Sequence, residues 1–450
     1  MASTAAPVLL LAPKTSYRVD AFVAAAARLG AAVRVGSDRC HRLAEGWGVP
    51  LALDFRDPDR AVAQVLAHAR EEPFAAVVPT DDAATVIASR AAAELGLAAN
   101  SPAAAYRARN KAEMRAALTA HDVPCPRWRL LDSAAADHDF LCARDGLGGG
   151  PVVVKPLLMA GSRGVIRADT ERELLAAVAR VGRILRAPDV EPSSDPAARQ
   201  LLVETYVPGR EVAVEGLLGD GRLQPLAVFD KPDPLVGPFF EETLYVTPSR
   251  LEERLQQRLL AATERAARAL GLSCGPIHAE LRFDGDRAWV IEVAGRSIGG
   301  LCARTIELAL GVSLEELILS DALGRPLPAV PAAGAASGVL MLPIPKRGLL
   351  RSVRGIDRAE KLPGIESVTI TAPLDHDVVP LPEGSSYLGF VFARGDEPAA
   401  VERALRAAQA ELEVDIRPNL ALPAATSVPA ACSRAAAASP RRRRTSRTPP

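Results

Sequence analysis

The sequence most informative about the fold is residues 275–296, GPIHAELRFDGDRAWVIEVAGR. In each half of this stretch apolar residues alternate with polar or small ones, which predicts two antiparallel strands joined by a short turn. Successive side chains on a strand point to opposite faces, so Glu280 and Glu292 are expected together on the face opposite the apolar residues. Such a shared face requires a turn of odd length, for instance residues 285–287, with Asp284 opposite Ala288.

The two glutamates of this hairpin predict a metal site. Two carboxylates that converge on one face repel each other unless a positive charge lies between them, and a hard divalent cation prefers oxygen ligands. Glu280 and Glu292 are therefore candidate ligands of magnesium. The alternative is a solvent-facing sheet surface on which both acids are merely hydrated, and for an isolated pair this alternative is the commoner one.

Lysine is scarce in this chain, and its scarcity ranks the candidate residues. Of the 54 basic residues in the 450-residue sequence, 48 are arginines and six are lysines, namely Lys14, Lys111, Lys155, Lys231, Lys346 and Lys361. A compact ammonium and a planar guanidinium are not interchangeable. A lysine kept in such a chain is therefore a candidate for a functional contact, although compositional drift explains the same pattern.

Lys155 has the most informative surroundings of the six. It ends a predicted strand at 152–155 and precedes a loop that contains Gly161, Ser162 and Gly164. Small residues let backbone N–H groups approach a phosphate closely, and a neighbouring lysine adds positive charge. The loop lacks the Gly-Lys-Ser/Thr ending of a Walker A motif, and the alternative is an ordinary turn.

A third candidate region begins where the predicted strand 201–203 ends. Glu204 directly follows this strand, Pro208 and Gly209 make a turn, and Glu211 lies seven residues after Glu204. A carboxylate or backbone group at such a turn can accept a hydrogen bond from an adenine amino group, and a second acid can bind ribose hydroxyls. On spacing alone, two exposed strand acids explain the pattern better.

The first hundred residues alternate short apolar segments with alanine-rich helical ones. Strands are predicted at 8–11, 32–35 and 75–78, and helices at 17–29, Pro58–Ala69 and 82–95. This alternation is typical of a parallel sheet with helices on both faces. The turn at 12–15 has no G-x-G-x-x-G pattern, so a dinucleotide site is not supported.

The remaining sequence divides at proline-rich segments. A single helical stretch at 101–120 ends before Pro124 and Pro126, and the Pro/Ala/Gly segment 325–338 has the composition of a linker. Residues 339–420 mix strands with one helix at Pro398–Glu411. The tail after residue 422 is rich in Ala, Pro, Ser and Arg and is predicted to be disordered.

Composition argues against several classes of protein. Apolar residues make up 48% and charged residues 24% of the chain, which are ordinary globular values. No apolar run reaches the roughly 18–20 residues of a membrane helix. The run at 8–12 lacks the cationic segment of a signal peptide, and the six cysteines form no C-x-x-C pair. A cytoplasmic protein without a zinc or disulfide framework is therefore expected.

The basic tail is the feature that favours a nucleic-acid partner. Residues 423–450 contain six arginines and no acid, whereas residues 1–422 carry a formal charge of −6. The run at 441–444 can bind phosphate backbones, but it has no interleaved aromatic residues. A nucleic-acid partner is therefore not expected.

Taken in order along the chain, five separated elements resemble the ATP-grasp superfamily. They are Asn110-Lys111, the strand and loop around Lys155, ETYVPGRE at 204–211, His278-x-Glu280, and Glu292-Val-Ala-Gly-Arg296. The resemblance spans about residues 110–310. The residues FFEE at 239–242, GG at 299–300 and the separate C-terminal domain look like ATP-dependent L-amino-acid ligases, which form dipeptides.

The resemblance implies an α/β and α+β architecture in four parts. These are a Rossmann-like domain at 1–105, an ATP-grasp domain at 106–325 with a lid at about 124–203, an α+β accessory domain at 335–421, and the disordered basic tail at 422–450. It also implies an activity: ATP converts a carboxylate, here that of an amino acid, to an acyl phosphate that an amine attacks, with release of ADP and phosphate. The partners would be a small-molecule carboxylate and amine, and a homodimer is expected.

The resemblance assigns a role to each candidate residue. Lys111 and Lys155 would hold the ATP phosphates under a lid loop formed by Gly161, Ser162 and Gly164. Glu204 and the backbone around Val207 would face adenine, and Glu211 the ribose. Glu280 and Glu292 would ligate Mg²⁺, with Mn²⁺ as an alternative ion. Arg296, together with Lys155 the predicted catalytic group, would stabilise the charged intermediates.

Two departures from the family pattern leave alternatives open. The usual E-I-N-P-R segment reads E-V-A-G-R here, so Ala294 replaces an asparagine that often completes the second metal site. The loop at 161–164 is also less rich in glycine than that of biotin carboxylases. The alternatives are a biotin-carboxylase-like ATP-dependent carboxylase, which this loop composition supports less well, and a non-catalytic ATP-binding regulatory protein.

Overall fold

The computed structural model describes residues 6–14, 16, 18–38, 51–190, 193–285, 287–331 and 334–419. The predicted disordered tail at 422–450 lies outside these residues. Within them, helices and sheets combine in the α/β and α+β architecture that the sequence predicted. No helix in the described part of the chain is both long and apolar enough to cross a bilayer.

The N-terminal part is a parallel four-stranded sheet in the order β3-β2-β1-β4. Its strands are β1 (Val8–Ala12), β2 (Val33–Ser37), β3 (Leu51–Ala52) and β4 (Ala76–Pro79), and its helices are α1 (Val19–Arg28), α2 (Pro58–Ala69) and α3 (Asp82–Glu94). All five side chains of β1 are buried. Val8 and Leu10 pack with α1, whereas Leu9 and Leu11 pack with α2 and α3. Helices therefore cover both faces of the sheet, as predicted.

The helical stretch predicted at 101–120 is two helices, α4 (Pro102–Arg109) and α5 (Lys111–Ala120). Asn110 lies between them with an extended backbone, at φ −90° and ψ 111°. Its side-chain oxygen accepts hydrogen bonds from the N–H groups of Ala112 and Glu113, which is the bonding of an N-cap residue. The cap therefore places Lys111 in the first turn of α5.

The segment predicted as the lid contains its own antiparallel sheet, in the order β5-β8-β6-β7. The strands are β5 (Trp128–Asp132), β6 (Val152–Pro156), β7 (Ile166–Ala168) and β8 (Gln200–Thr205), and the helices are α6 (Asp137–Gly146) and α7 (Glu171–Leu185). A capping box between Thr170 and Glu173 begins α7. The apolar faces of β6, β8 and α7 form a separate small core.

An eight-stranded antiparallel sheet forms the centre, in the order β13-β12-β9-β10-β11-β14-β18-β16. Its strands are β9 (Arg210–Gly219), β10 (Arg222–Asp230), β11 (Leu244–Thr247), β12 (Gly275–Asp284), β13 (Arg287–Ala294), β14 (Ala336–Leu342), β16 (Ile365–Ile370) and β18 (Gly389–Gly395). Helices α8 (Glu253–Leu270), α9 (Arg304–Leu310) and α10 (Leu314–Ala322) lie between these strands in sequence.

The predicted C-terminal domain is joined to the central part through this sheet, because β11 pairs with β14. Its other elements are β15 (Gly348–Arg354), β17 (Asp377–Val378), β19 (Glu413–Arg417), α11 (Ile356–Glu360) and α12 (Pro398–Glu411). The three strands form a small separate sheet. The domain boundaries stay a prediction.

The hairpin of β12 and β13 has a different turn from the predicted one. Asp284 pairs with Arg287, so the predicted turn of odd length is wrong. Glu280 nevertheless pairs with Glu292, because β13 has one unpaired extra residue, Ile291. An extra residue of this kind is a β-bulge, and it reverses which side chains face the core. The bulge, rather than the turn, thus brings the two glutamates opposite each other.

Candidate active site

A cavity of about 780 Å³ lies where the N-terminal, lid, central and C-terminal parts meet. The N-terminal part contributes Asp81 and Asp82, and the C-terminal part contributes Ser386. Ten of the predicted site residues line this cavity, namely Lys111, Lys155, Gly161, Ser162, Glu204, Val207, Glu211, Glu280, Glu292 and Arg296. Gly164 is not among the lining residues. It donates its N–H to the carbonyl of Pro382.

Lys155 is held by a buried carboxylate. Its Nζ lies 2.5 Å from Oε1 of Glu204, and Arg115 on α5 donates from Nε to Oε2 of the same glutamate at 2.9 Å. Burial raises the pKa of Glu204, but the two cations outweigh burial and lower it. The Glu204 carboxylate is thus ionised and bonded to two cations, so its side chain orients Lys155.

Lys111 faces the other predicted metal ligand. Its Nζ donates to the carbonyl of Met159 at 2.7 Å and lies 3.5 Å from Oε1 of Glu292. The side chain of Glu292 is 31% exposed, so it remains accessible from the cavity. The ammonium therefore lies between the loop that precedes Gly161 and the hairpin that carries Glu292.

Lys231, which the sequence reasoning did not assign to the site, lies among three carboxylates. Its Nζ is 2.8 Å from Glu211 and 3.6 Å from Glu280, and it also contacts Glu242. Burial lowers the pKa of Lys231, but the carboxylates raise it well above its usual value. Burial raises the pKa of Glu242 to about 7. The scarcity of lysine was the signal that could have identified Lys231, which directly follows β10.

The carboxylates of this cluster suit a hard divalent cation. Ligand oxygens of Glu211, Glu242 and Glu280 lie within 4.8 Å of one another. Mg²⁺ prefers oxygen ligands of this kind. Glu292 is not in this trio, although it pairs in register with Glu280. Glu211 and Glu242 thus lie beside the predicted ligand Glu280, and these three acids line the same cavity as Glu292.

A buried histidine connects this cluster to the loop after β13. Nδ1 of His278 lies 2.9 Å from Glu215, and its Nε2 lies 3.6 Å from Glu280. Burial lowers the pKa of His278, but the hydrogen bond to Glu215 and the nearby carboxylate of Glu280 raise it to about 9. Glu215 also accepts the N–H of Ile298 at 2.9 Å. The sequence signal for Glu215 was a carboxylate inside an otherwise apolar strand.

The N-terminal part fixes the loop that carries Arg296. Nη2 of Arg296 donates to Asp82 at 2.6 Å. Arg18 donates to Oγ of Ser297 at 2.6 Å and to Glu315 at 2.7 Å. These contacts connect Arg296, which lines the cavity, and its neighbour Ser297 to the N-terminal part.

Cys302 lines the cavity but has a structural role. Its side chain is buried, and burial raises the pKa of its thiol. Its Sγ lies 3.7 Å from the sulfur of Met341. A thiol in this environment packs as a small apolar group and is not an activated nucleophile.

Known sequences match two parts of this chain. Residues 149–305 match the family model of the ATP-grasp domain, and residues 340–417 match that of the L-amino acid ligase C-terminal domain 2. An alanine–anticapsin ligase from Bacillus subtilis is 28% identical over 244 residues, which cover 51% of this chain and 50% of the relative. The chain thus matches about half the length of such curated relatives.

Solved structures share the fold over almost the whole chain. An L-amino acid ligase from Bacillus licheniformis has a TM-score of 0.75 at 24% identity, covering 92% of this chain and 99% of the other. A biotin carboxylase from Campylobacter jejuni has a TM-score of 0.63 at 16% identity, covering 91% and 92%. At these identities the likeness concerns the fold.

The fold, the charged cavity and the family match together define the class of residues 149–305, which form an ATP-grasp domain. Residues 340–417 are of the L-amino acid ligase type, as their match to C-terminal domain 2 of that family shows. The resemblance that the sequence suggested is thereby confirmed.

Proposed function

We propose that this protein is an ADP-forming ligase that joins an amino-acid carboxylate to an amine. The observation that carries the proposal is a single cavity lined both by the cations Lys111, Lys155 and Arg296 and by the carboxylates Glu280 and Glu292. Cations bind the phosphates of ATP, and carboxylates bind the metal ion that accompanies ATP. The L-amino acid ligase type of the C-terminal part supports this class over other ATP-grasp activities.

ATP would bind with its phosphates toward the lysines. An ammonium has three donors, so Lys111 and Lys155 each keep donors free beside their bonds to protein. Gly161 and Ser162 would close over the phosphates, with Gly164 supporting the loop from outside. Val207 and the backbone after Glu204 would border adenine, and Glu211 the ribose.

Glu280 and Glu292 would hold Mg²⁺, or Mn²⁺ in its place. When bound, the metal neutralises charge on the transferring phosphoryl group. The ammonium of Lys231, which contacts Glu211 and Glu242, offsets part of the negative charge of the carboxylates around this site. Ala294 offers no ligand atom, so the second ion would depend on the carboxylates alone.

The reaction divides into two steps. A carboxylate is a poor acyl donor, and phosphoryl transfer from ATP gives an acyl phosphate with a good leaving group. Transfer needs positioning and charge cancellation, which Lys155 and Arg296 supply. The amine then attacks the acyl carbon and phosphate departs. Water must be excluded meanwhile, which is the reason for a lid.

The test is phosphate release with pairs of amino acids. We expect release only when ATP, Mg²⁺ and both substrates are present, and a product whose mass is the sum of the two substrates less water. Release that requires bicarbonate and biotin instead would favour the carboxylase alternative. ATP binding without turnover on any pair would favour the non-catalytic one. The predicted homodimer and cytoplasmic location stay predictions.

A further inference from the structure

The lid loop and the C-terminal part contact each other at the wall of the cavity. Gly164 donates its N–H to the carbonyl of Pro382 at 3.0 Å. Gly161 has φ +63°, and a Cβ placed there would lie 3.3 Å from the carbonyl oxygen of Ser385. The backbone of the lid loop is therefore packed against the segment 382–387 of the C-terminal part.

A bidentate ion pair from the lid helix α7 adds to the same contact. Arg180 on α7 donates from Nε and Nη2 to the two carboxylate oxygens of Glu383, at 2.6 and 2.9 Å. The hydrogen bond from Arg180 lowers the pKa of Glu383. The guanidinium also lies 4.8 Å from the ring centroid of Phe239. A planar fork of this kind fixes both the distance and the orientation of the two elements.

The segment 382–387 is anchored in the central sheet at its C-terminal end. Leu388 donates its N–H to Leu342 at 2.9 Å, and β18 begins at the next residue inside the central sheet. Ser385, Ser386 and Tyr387 line the cavity together with Gly161 and Ser162. The C-terminal part thus both completes the wall and contacts the loop that covers it.

We infer that Arg180 and Glu383 are positioning residues that hold the lid loop shut against the C-terminal part while the acyl phosphate exists. This inference rests on the proposed function. In the open state water attacks the acyl carbon, the bond from that carbon to the phosphate oxygen breaks, and the carboxylate and inorganic phosphate are released. One ATP is then consumed without a ligated product, so the pair governs how tightly ATP use is coupled to ligation.

The test reverses the charge of one partner and then of both. Glu383→Arg places two guanidiniums together, and Arg180→Glu with Glu383→Arg restores the pair in the opposite sense. Both side chains are more than a third exposed. We therefore expect a modest effect of about two- to fivefold in the ratio of phosphate released to product formed. The double variant should return most of the way to the wild-type ratio.

The matched control is Glu411→Arg. It breaks a similar exposed pair, in which Arg358 Nε lies 2.7 Å from Glu411, away from the lid and the cavity. The coupling ratio of this variant should equal that of the wild type. The inference would be overturned if the ratio of phosphate released to product formed rose equally in Glu383→Arg and Glu411→Arg. It would also be overturned if Glu383→Arg kept the wild-type ratio.

Amide hydrogen exchange separates this inference from the proposed function. With ADP and Mg²⁺ bound, peptides that cover Gly164 should exchange faster in Glu383→Arg than in the wild type and slowly again in the double variant. Unchanged exchange means that the pair does not hold the loop. Should the wild type ligate no amino-acid pair, the proposed function fails, and the exchange measurement alone still decides whether Arg180 and Glu383 position the loop.

Discussion

Arg115 donates from Nη2 to the carbonyl oxygen of Ile291 at 2.7 Å. Ile291 is the bulged residue of β13, and Arg115 is 1% exposed in its side chain. The same guanidinium binds Glu204, which in turn binds Lys155. One buried arginine therefore fixes both the bulge that pairs Glu280 with Glu292 and the carboxylate that orients a candidate phosphate-binding lysine.

Arg115→Met should destabilise the protein by about 3–5 kcal/mol, because it leaves a buried carboxylate with one cation fewer and a carbonyl without its donor. The free energy of unfolding in urea measures this loss. Arg403→Met, an exposed site on α12, serves as the control and should change stability little. Arg115→Lys keeps the positive charge but lacks the several N–H donors of a guanidinium. Its loss of stability should lie between those of Arg115→Met and Arg403→Met. An Arg115→Met protein as stable as the control would contradict this account of the bulge.

Lys155→Ala and Glu292→Ala should each lower ATP turnover by at least about a hundredfold while the fold persists. The fold is expected to survive because Glu204 keeps Arg115 as a partner, and Glu292 is partly exposed. Steady-state phosphate release gives the rates, and circular dichroism reports the fold. Lys361→Ala, at an exposed position, is the control. Wild-type-like turnover in either variant would remove the site assignment.

Sequence patterns predicted the elements well wherever the local residues decide them. The bounds of α2 and α12 agree with the prediction, since Pro58 and Pro398 each begin a helix with matching apolar spacing. The bulge at Ile291 could not be predicted, because its donor lies 176 positions earlier in the chain. The bonded state of Glu204 depends on the same distant arginine.

Sequence reasoning did not assign Lys231 to the site, for a similar reason. Lys231 was one of six lysines in the sequence, but its neighbours on the chain carry no family motif. Its three carboxylate partners come from β9, β12 and the segment between β10 and β11. Only the strand order of the central sheet brings these groups to one place, and strand order is not encoded in local alternation.

Lys231→Met should make the protein depend on Mg²⁺ for stability. Removing the ammonium leaves Glu211, Glu242 and Glu280 close together without their shared cation, at an expected cost of about 3–5 kcal/mol in the free energy of unfolding. Mg²⁺ binds such oxygen clusters, so millimolar Mg²⁺ should raise the melting temperature more in the variant than in the wild type. The exposed Lys346→Met is the matched control. Equal Mg²⁺ effects in all three proteins would argue that the trio holds no ion.

His278 should give the protein a stability that declines in mildly alkaline solution. Its pKa in the folded protein, about 9, lies above the usual 6.5, because Glu215 and Glu280 favour the imidazolium more than burial opposes it. The folded state then binds a proton that the unfolded state has lost. The stabilisation is full below about pH 6.5 and disappears as the pH rises through 9.

The difference between the wild type and His278→Gln isolates this one group from others that titrate nearby, such as Glu242. Urea unfolding at intervals from pH 6 to 10 should show the wild type losing roughly 1–3 kcal/mol more than the variant across that range. His121→Gln, on the exposed end of α5, should follow the wild-type curve. If the wild type and His278→Gln instead run parallel from pH 6.5 to 9, then the imidazole is neutral in the folded protein and Glu215 does not hold it charged beside the carboxylate cluster.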